Sequence, residues 1–268
     1  MKIVFCTFHV RRSTQAISLA AGCLVSALPE SLSQTSTLVD AFPDQSDQEI
    51  LTMILQTQPD VVAFPVYVWN RLRLIEIAKK LHKQAPHIRL IAGGPEATGD
   101  ANGLLAAAPW TALVHGEGEA AFSGLINALA KNLPAQPLPG VSWVSQENIF
   151  SGPEYCPHDL DKAPSPWLTG ALKPEASGGV LWEVARGCAF SCDYCFEARG
   201  HGGVRGVGRK RLEEELALFV VKRPLFVISP IVIFSALKRS ASLTSSLFSI
   251  RLKSMLSCRV SATRKRPF

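Results

Sequence analysis

The chain has 268 residues, of which 47% are hydrophobic and 19% are charged, and its formal net charge is +6. This apolar content excludes a disordered chain, and no period in the glycine or apolar positions suggests a collagen-like or repeat protein. Residues 1–223 carry 20 basic and 22 acidic side chains, whereas residues 224–268 carry 8 basic and no acidic ones. Because the positive charge belongs only to the last segment, we expect no nucleic-acid partner.

Strand and helix signals alternate along residues 1–132. Short apolar runs predict five buried strands, at Lys2–Thr7, Ser36–Val39, Val61–Val66, Ile88–Ala92 and Ala112–Val114. Apolar residues at helical spacing predict helices at Thr14–Leu28, Gln45–Gln56, Arg71–Lys83, Asp100–Ala108 and Glu119–Lys131. Asn70 is the predicted N-cap of the third helix, and Leu72 belongs to its apolar stripe. Strands without polar alternation, joined by helices, predict an α/β fold with a doubly wound, flavodoxin-like parallel sheet.

Ligands of such sheets bind outside the carboxyl ends of the strands. The fourth strand is followed by Gly93-Gly94-Pro95-Glu96, and the fifth by Gly116-Glu117-Gly118-Glu119. Glycines let the backbone approach a ligand closely, although each motif alone is also explained by a tight strand-to-helix turn. Together with the segment after the third strand, they supply the predicted cofactor-binding residues Tyr67, Gly93, Gly94, Gly116, Glu117 and Gly118. No glycine fingerprint follows the first strand, so we expect no dinucleotide site.

Residues 136–176 are rich in proline and change the character of the chain. Two short runs, Val141–Val144 and Asn148–Phe150, predict a small hairpin. Aromatic residues and the scarcity of consecutive Gly or Ser predict that this segment is an ordered connection.

Three of the seven cysteines follow a predicted strand at Val180–Ala185. Cys188, Cys192 and Cys195 have the spacing Cys-x3-Cys-x2-Cys, and thiolates are the ligands of iron–sulfur clusters. A four-iron cluster held by three cysteines keeps one iron open for a substrate or cosubstrate. The spacing therefore favours an open cluster, and cysteines used this way indicate a reducing compartment.

Two other interpretations of the cysteines remain open. Structural zinc needs four ligands, and the candidates for the fourth are Cys156, His158 and His201, none of which has a characteristic spacing. The other alternative is that the cysteines are buried and bind no metal.

The cysteine motif, with Tyr194 before its last cysteine and Arg186-Gly187 upstream, resembles the signature of radical S-adenosylmethionine (SAM) enzymes. The preceding sheet, with its two glycine-rich turns, resembles the cobalamin-binding domain fused to many of these enzymes. The resemblance covers roughly residues 1–220 and implies that Cys188, Cys192 and Cys195 hold a [4Fe–4S] cluster and that Tyr194 lies near the SAM adenine.

In that family, one electron from the cluster cleaves SAM to methionine and a 5′-deoxyadenosyl radical. The resemblance implies SAM and cobalamin as cofactors, and an electron donor such as flavodoxin or ferredoxin as a partner. The implied reaction is methyl transfer or carbon-skeleton rearrangement on an unknown substrate. It also implies that Lys210–Leu218 is the first helix of a partial (β/α) barrel, with Glu213, Glu214 and Glu215 near its start.

The sequence departs from the family in two respects. His9 lacks the Asp-x-His-x-x-Gly frame of domains that ligate cobalt through histidine, so we do not expect it to be a cobalt ligand. Only 73 residues follow Cys195, and they contain no Gly-Gly-Glu segment of the kind that holds the SAM amino group. A barrel needs several strand–helix units of about 30 residues each, so we expect the second domain to be incomplete.

After Glu215 the chain contains no Asp, Glu, Asn, Gln, Gly, His, Trp or Tyr. We interpret this change as a shift of reading frame near Val220–Pro224. The expected organisation is a cobalamin-binding-like domain at 1–135, a linker at 136–176, the start of a radical SAM domain at 177–222 and an atypical tail at 223–268. The rival hypotheses are a non-catalytic remnant that binds cobalamin or another small ligand, and a zinc-binding interaction protein.

The sequence also predicts a cytoplasmic protein without a membrane partner. Its N-terminus begins as a strand and not as a signal peptide. The apolar stretch Leu216–Leu237 is interrupted by Lys222 and Pro224, which makes it a poor transmembrane helix.

Overall fold

The computed structural model describes residues 1–146, 148–153, 155, 159–175, 178–188, 203–224, 226–228 and 233–235. Five parallel strands form the centre of the first sheet: β1 (Ile3–Phe8), β2 (Ser36–Ala41), β3 (Val61–Pro65), β4 (Arg89–Gly93) and β5 (Ala112–Val114). Their spatial order is β2-β1-β3-β4-β5. This is the doubly wound, flavodoxin-like order, so the predicted fold class is confirmed.

Seven helices connect these strands or follow them: α1 (Leu19–Ser26), α2 (Glu30–Ser33), α3 (Asp47–Gln56), α4 (Arg71–Gln84), α5 (Pro95–Gly99), α6 (Ala101–Ala107) and α7 (Gly118–Ala130). Side chains of α3, α4 and α6 form the core on one face of the sheet, and those of α1 and α7 form the core on the other face. The first helix begins five residues later than predicted. The short α5, which has Pro95 in its first turn, was not predicted.

The turn between β3 and α4 corrects two predictions. Asn70 precedes α4, but its side chain makes no hydrogen bond to the first turn of the helix. Instead its Oδ1 accepts a hydrogen bond from the backbone N–H of Tyr67 at 2.8 Å, and its Nδ2 donates to the carbonyl of Pro65 at 3.0 Å. Asn70 therefore fastens the loop before the helix. Leu72 is 80% exposed and does not belong to the buried stripe, which consists of Leu74, Ile75, Ile77, Ala78 and Leu81.

The predicted hairpin belongs to the first sheet. Strand β6 (Val141–Ser145) pairs antiparallel with β5, and β7 (Asn148–Ser151) pairs antiparallel with β6. The sheet thus has seven strands and extends beyond residue 135, where the composition of the chain changes.

A second, smaller unit follows a 3₁₀ turn at Leu160–Lys162. It contains β8 (Gly179–Leu181), β9 (Ala185–Arg186), β10 (Arg205–Gly206), α8 (Arg209–Lys222), β11 (Phe226–Ile228) and β12 (Ile233–Ser235). The predicted strand at Val180–Ala185 is therefore two shorter strands. Strand β11 pairs in parallel with β8, and β12 pairs antiparallel with β11. The helix predicted at Lys210–Leu218 lies within α8. Because β11 lies beyond residue 222, the beginning of the predicted tail is part of this sheet.

The second unit packs on the first through a third apolar cluster. Trp167, Leu172, Val180, Trp182 and Phe219 form its buried centre, and Ile17, Leu19 and Leu38 of the first unit pack against it. In the part of the chain that the structure describes, no helix is long and apolar enough to cross a membrane.

Candidate functional site

A cleft of about 460 Å³ opens at the carboxyl ends of the parallel strands, between α1 and α7. Its size lies in the range of small-molecule and cofactor sites. The apolar part of its wall comes from the strands and both helices: Phe5, Ala63, Phe64, Ile91, Val114, Leu19, Leu24 and Phe122. The cleft therefore lies where ligands of doubly wound sheets bind.

The cleft brings together the predicted cofactor-binding residues that the structure describes. These are Tyr67, Gly93, Gly94, Gly116, Glu117 and Gly118. They come from three different turns and meet because the carboxyl ends of parallel strands share one edge of the sheet. Their roles in binding stay predictions. Tyr194 lies outside the described residues.

Two of the glycines are required by the backbone itself. Gly94 has a φ of +95°, and a Cβ at this position would lie 3.0 Å from the carbonyl oxygen of Val66. Gly116 has a φ of +63°. Both positions disfavour any residue with a side chain. The tight-turn explanation therefore holds for these two glycines, and the same turns form part of the wall of the cleft.

An aromatic pair lies beside the cleft. The rings of Tyr67 and Trp69 stack with centroids 4.3 Å apart and planes 8° from parallel. Trp69 is 57% exposed, and the neighbouring Val68 and Leu72 are exposed as well. This apolar surface is continuous with Tyr67 at the cleft wall, and only the folded loop shows that these side chains are left uncovered.

His9 takes part in a polar cluster at the end of β1. Its Nε2 lies 2.7 Å from Oδ1 of Asp40, and Ser18 donates a hydrogen bond to the same oxygen at 2.6 Å. Burial raises the pKa of Asp40, but the hydrogen bonds from His9 and Ser18 outweigh it and leave this pKa below its usual value. The Nε2 nitrogen of His9 is thus engaged by a carboxylate.

One end of the cleft is charged. Arg186 of β9 donates hydrogen bonds to Glu117 at 3.2 Å, to Glu119 at 2.5 Å and to Glu183 at 2.8 Å. All four side chains are mostly buried. Burial lowers the pKa of Arg186, but its bonds to Glu183 and Glu119 dominate and raise this pKa above the ordinary value. The guanidinium therefore stays charged and links the second unit to the turn between β5 and α7.

A second arginine joins the same carboxylate. Arg205 of β10 hydrogen-bonds Glu117 through both terminal nitrogens. Glu119, Glu183 and Arg205 were not predicted as site residues, because their contacts join positions 67 to 88 residues apart along the chain or depend on the folding of β9. Spacing along the sequence contains no signal for such contacts.

The structure describes one of the three predicted cluster ligands. Cys188 follows β9 by two residues and is partly exposed. Cys192 and Cys195 lie outside the described residues, as do the alternative zinc ligands Cys156, His158 and His201. Among the described residues, no three His, Cys, Asp or Glu side chains come together as a metal site. The three-cysteine site stays a prediction.

Comparison with known proteins agrees with this geometry. Residues 19–126, from α1 to α7, match the B12 binding domain family. This match contains all six of the predicted residues that line the cleft. A protein from Streptomyces tokunonensis named cobalamin-dependent radical SAM methyltransferase TokK is 31% identical over 175 residues, which are 60% of this chain and 26% of that protein. Over these residues the chain is similar to a protein that is named a cobalamin-dependent radical SAM methyltransferase.

Two further proteins are similar to this chain, one in sequence and one in fold. The 2-(S-pantetheinyl)-carbapenam-3-carboxylate methyltransferase of Streptantibioticus cattleyicolor is 33% identical over 176 residues, or 61% of this chain and 26% of that protein. The solved structure of the radical SAM methyltransferase TsrM from Kitasatospora setae, with cobalamin and a [4Fe–4S] cluster bound, has a TM-score of 0.62 at 14% identity. It is matched over 86% of this chain and 49% of its own. The chain spans about a quarter of the length of the two curated relatives named above.

Proposed function

We propose that this chain binds cobalamin in the cleft between α1 and α7, and SAM at a [4Fe–4S] cluster, as part of a radical SAM enzyme that transfers methyl groups. The observation that carries the proposal is the cleft itself, which gathers six predicted residues inside the matched B12-binding domain. The names of the two curated relatives support methyl transfer over carbon-skeleton rearrangement.

The residues of the cleft fit a corrinoid. Its wall is mainly apolar, and the turns at Gly93-Gly94 and Gly116 present backbone without a side chain that would block approach. In the proposed complex, Leu19, Leu24 and the turns at Gly93-Gly94 and Gly116 would hold the ligand. Cobalamin supplies a cobalt centre suited to methyl transfer.

We do not propose His9 as a ligand of the cobalt. Its Nε2 is 2.7 Å from Asp40, and Ser18 holds the same carboxylate oxygen. Freeing this nitrogen would leave a partly buried carboxylate with one hydrogen bond fewer, which is unfavourable.

In the second unit, Cys188, Cys192 and Cys195 are the proposed cluster ligands and Tyr194 the proposed neighbour of the SAM adenine. The cluster supplies the electron that cleaves SAM. A cytoplasmic electron donor such as flavodoxin or ferredoxin is the proposed partner. We propose no membrane and no nucleic-acid partner, and the substrate class stays open.

Anaerobic reconstitution of the whole chain tests the proposal. We expect hydroxocobalamin to bind with a changed absorbance spectrum, and iron and sulfide to give about four irons per chain. With a reductant and SAM, 5′-deoxyadenosine or a methylated acceptor should form. A variant with all three cysteines changed to alanine should bind no iron but still bind cobalamin.

Each alternative has its own outcome. A cluster without SAM cleavage would show that this chain is a non-catalytic remnant. One tightly held zinc and no cluster would refute the radical SAM assignment. Absence of cobalamin binding by a folded chain would refute the assignment of the cleft.

A further inference from the structure

Strands β9 and β10 form a very short antiparallel ladder. It has two residue pairs, Arg186 opposite Arg205 and Ala185 opposite Gly206. Two-stranded ladders are marginally stable by themselves, and a glycine pair adds no side-chain packing. The ladder therefore needs support from outside its own two strands.

Arg186 and Arg205, which face each other, destabilise the ladder further. Side chains of directly opposed residues lie on the same face of a ladder, and like charges in that arrangement are destabilising. Arg186 and Arg205 are both mostly buried, so solvent screens their repulsion poorly.

Glu117 lies between the two arginines. It accepts a hydrogen bond from Arg186 at 3.2 Å and is also paired with Arg205, and its own side chain is mostly buried. The carboxylate belongs to the turn between β5 and α7 of the B12-binding domain. It bridges the two arginines, of which Arg186 is also paired with Glu119 and Glu183, and it ties both strands to that domain.

The backbone beside the ladder is closely packed. Gly187 has a φ of +92°, and a Cβ there would lie 2.3 Å from the carbonyl oxygen of Gly203. Cys188 is the next residue. Because Cys188 follows β9 by only two residues, we expect a shift of β9 relative to β10 to move Cys188 as well.

We propose that Glu117 is a positioning residue, which fastens β9 and β10 to the B12-binding domain and so sets the place of Cys188 relative to that domain. The inference rests on the proposed function, in which Cys188 is a cluster ligand. It gives Glu117 a role in placing the cluster ligand Cys188, in addition to its position in the wall of the cleft.

Hydrogen exchange, measured on the whole chain before a cluster is reconstituted, tests whether Glu117 holds β9 and β10 in place. Glu117→Gln should raise the exchange of the amides of β9 and β10 roughly tenfold or more, because a mostly buried ion pair loses one partner. Adding Arg205→Gln should restore much of the protection, because it removes one of the two opposed charges. The matched control is Asp47→Asn, whose carboxylate also bonds two cations, Arg73 and Lys80, away from the cleft.

The second readout is the cluster. In the reconstituted chain, Glu117→Gln should lose iron to a chelator several-fold faster than wild type and broaden the electron paramagnetic resonance signal, and the double variant should recover both. The proposal would be overturned by any of three results. These are unchanged amide exchange of β9 and β10 in Glu117→Gln, an equal rise in that exchange in Asp47→Asn, or no return toward the wild-type exchange in the double variant. If wild type takes up no iron, the proposed function and the role toward Cys188 both fail, and the exchange result still decides whether Glu117 fastens the ladder.

Discussion

At the scale of single residues, Glu215 shows how much one buried charge can organise. It is 1% exposed and accepts hydrogen bonds from Ser165 at 2.5 Å, from the indole of Trp182 at 2.6 Å and from Arg211 at 3.0 Å. The carboxylate thereby joins α8 to β8 and to the segment before it. It was predicted near the start of the helix but lies midway along α8, and its burial was not predicted.

Replacing Glu215 with Leu should lower the free energy of unfolding by about 3–5 kcal/mol. It leaves the indole N–H of Trp182 without its acceptor, and it leaves the buried guanidinium of Arg211 bonded only to backbone carbonyls, without its carboxylate partner. Denaturant unfolding measures the change. The control is Glu213→Leu on the same helix, where Glu213 forms an exposed pair with Arg209, and its effect should stay below about 1 kcal/mol. Equal losses in the two variants would contradict the importance of burial.

Asp40 gives a pH dependence with a definite sign. Its pKa is lower in the folded chain than its usual value, so the folded state binds protons less readily than the unfolded state. The stabilisation is complete above the usual aspartate pKa of about 4 and is lost as the pH falls through the lower folded value. Ser18→Ala should raise the Asp40 pKa, as measured by carboxyl-carbon NMR. A pKa that stays the same in Ser18→Ala would show that His9 alone lowers it.

At the scale of elements, the turns after β4 and β5 form the cleft wall. Gly94→Ala places a side chain at a φ of +95° and 3.0 Å from the Val66 carbonyl. We expect a loss of about 1–3 kcal/mol in stability and weaker cobalamin binding. Unfolding and spectroscopic titration measure both quantities.

The matched control for that turn is Gly124→Ala. Gly124 lies in α7, and a Cβ there meets no atom within 4 Å. The substitution should add about 0.5–1 kcal/mol of stability through helix propensity and leave binding unchanged. If Gly94→Ala behaved like Gly124→Ala, the turn would not be under conformational constraint.

Whole elements were predictable where their pattern was local. The apolar runs of β1 and β3, for example, are buried on both faces. Each of the five parallel strands was predicted from its own apolar run. The start of α1 was placed too early because residues 14–18 have helical spacing but form a turn, in which Ser18 bonds Asp40 of β2. That partner is 22 residues away and cannot be read from a local pattern.

At the scale of the whole molecule, the second unit packs on α1 through the third apolar cluster, in addition to its ion pairs with the turn between β5 and α7. A Cβ on Gly22 would lie 2.5 Å from Cγ of Leu172, a buried residue of the third apolar cluster. The helix and the segment around Leu172 therefore approach as closely as glycine allows.

Gly22→Ala should destabilise the chain by about 1–3 kcal/mol, because overpacking exceeds the gain in helix propensity. In a double-mutant cycle, Leu172→Ala removes the obstruction, so the double variant should lose less stability than the sum of the single variants. Thermal and denaturant unfolding provide the values. Additive losses would show that the two residues are not in contact.

The sequence alone determined the fold class, the succession of parallel strands and helices along the chain and the set of turns that line the cleft, because burial periodicity and glycine conformation are local properties. It also indicated a three-cysteine metal site. Only the tertiary structure placed the hairpin β6–β7 in the first sheet, turned Asn70 toward its own loop and brought Glu117 between Arg186 and Arg205. These outcomes depend on which distant groups compete for the same hydrogen bonds and charges, and that competition is settled only when the chain is folded.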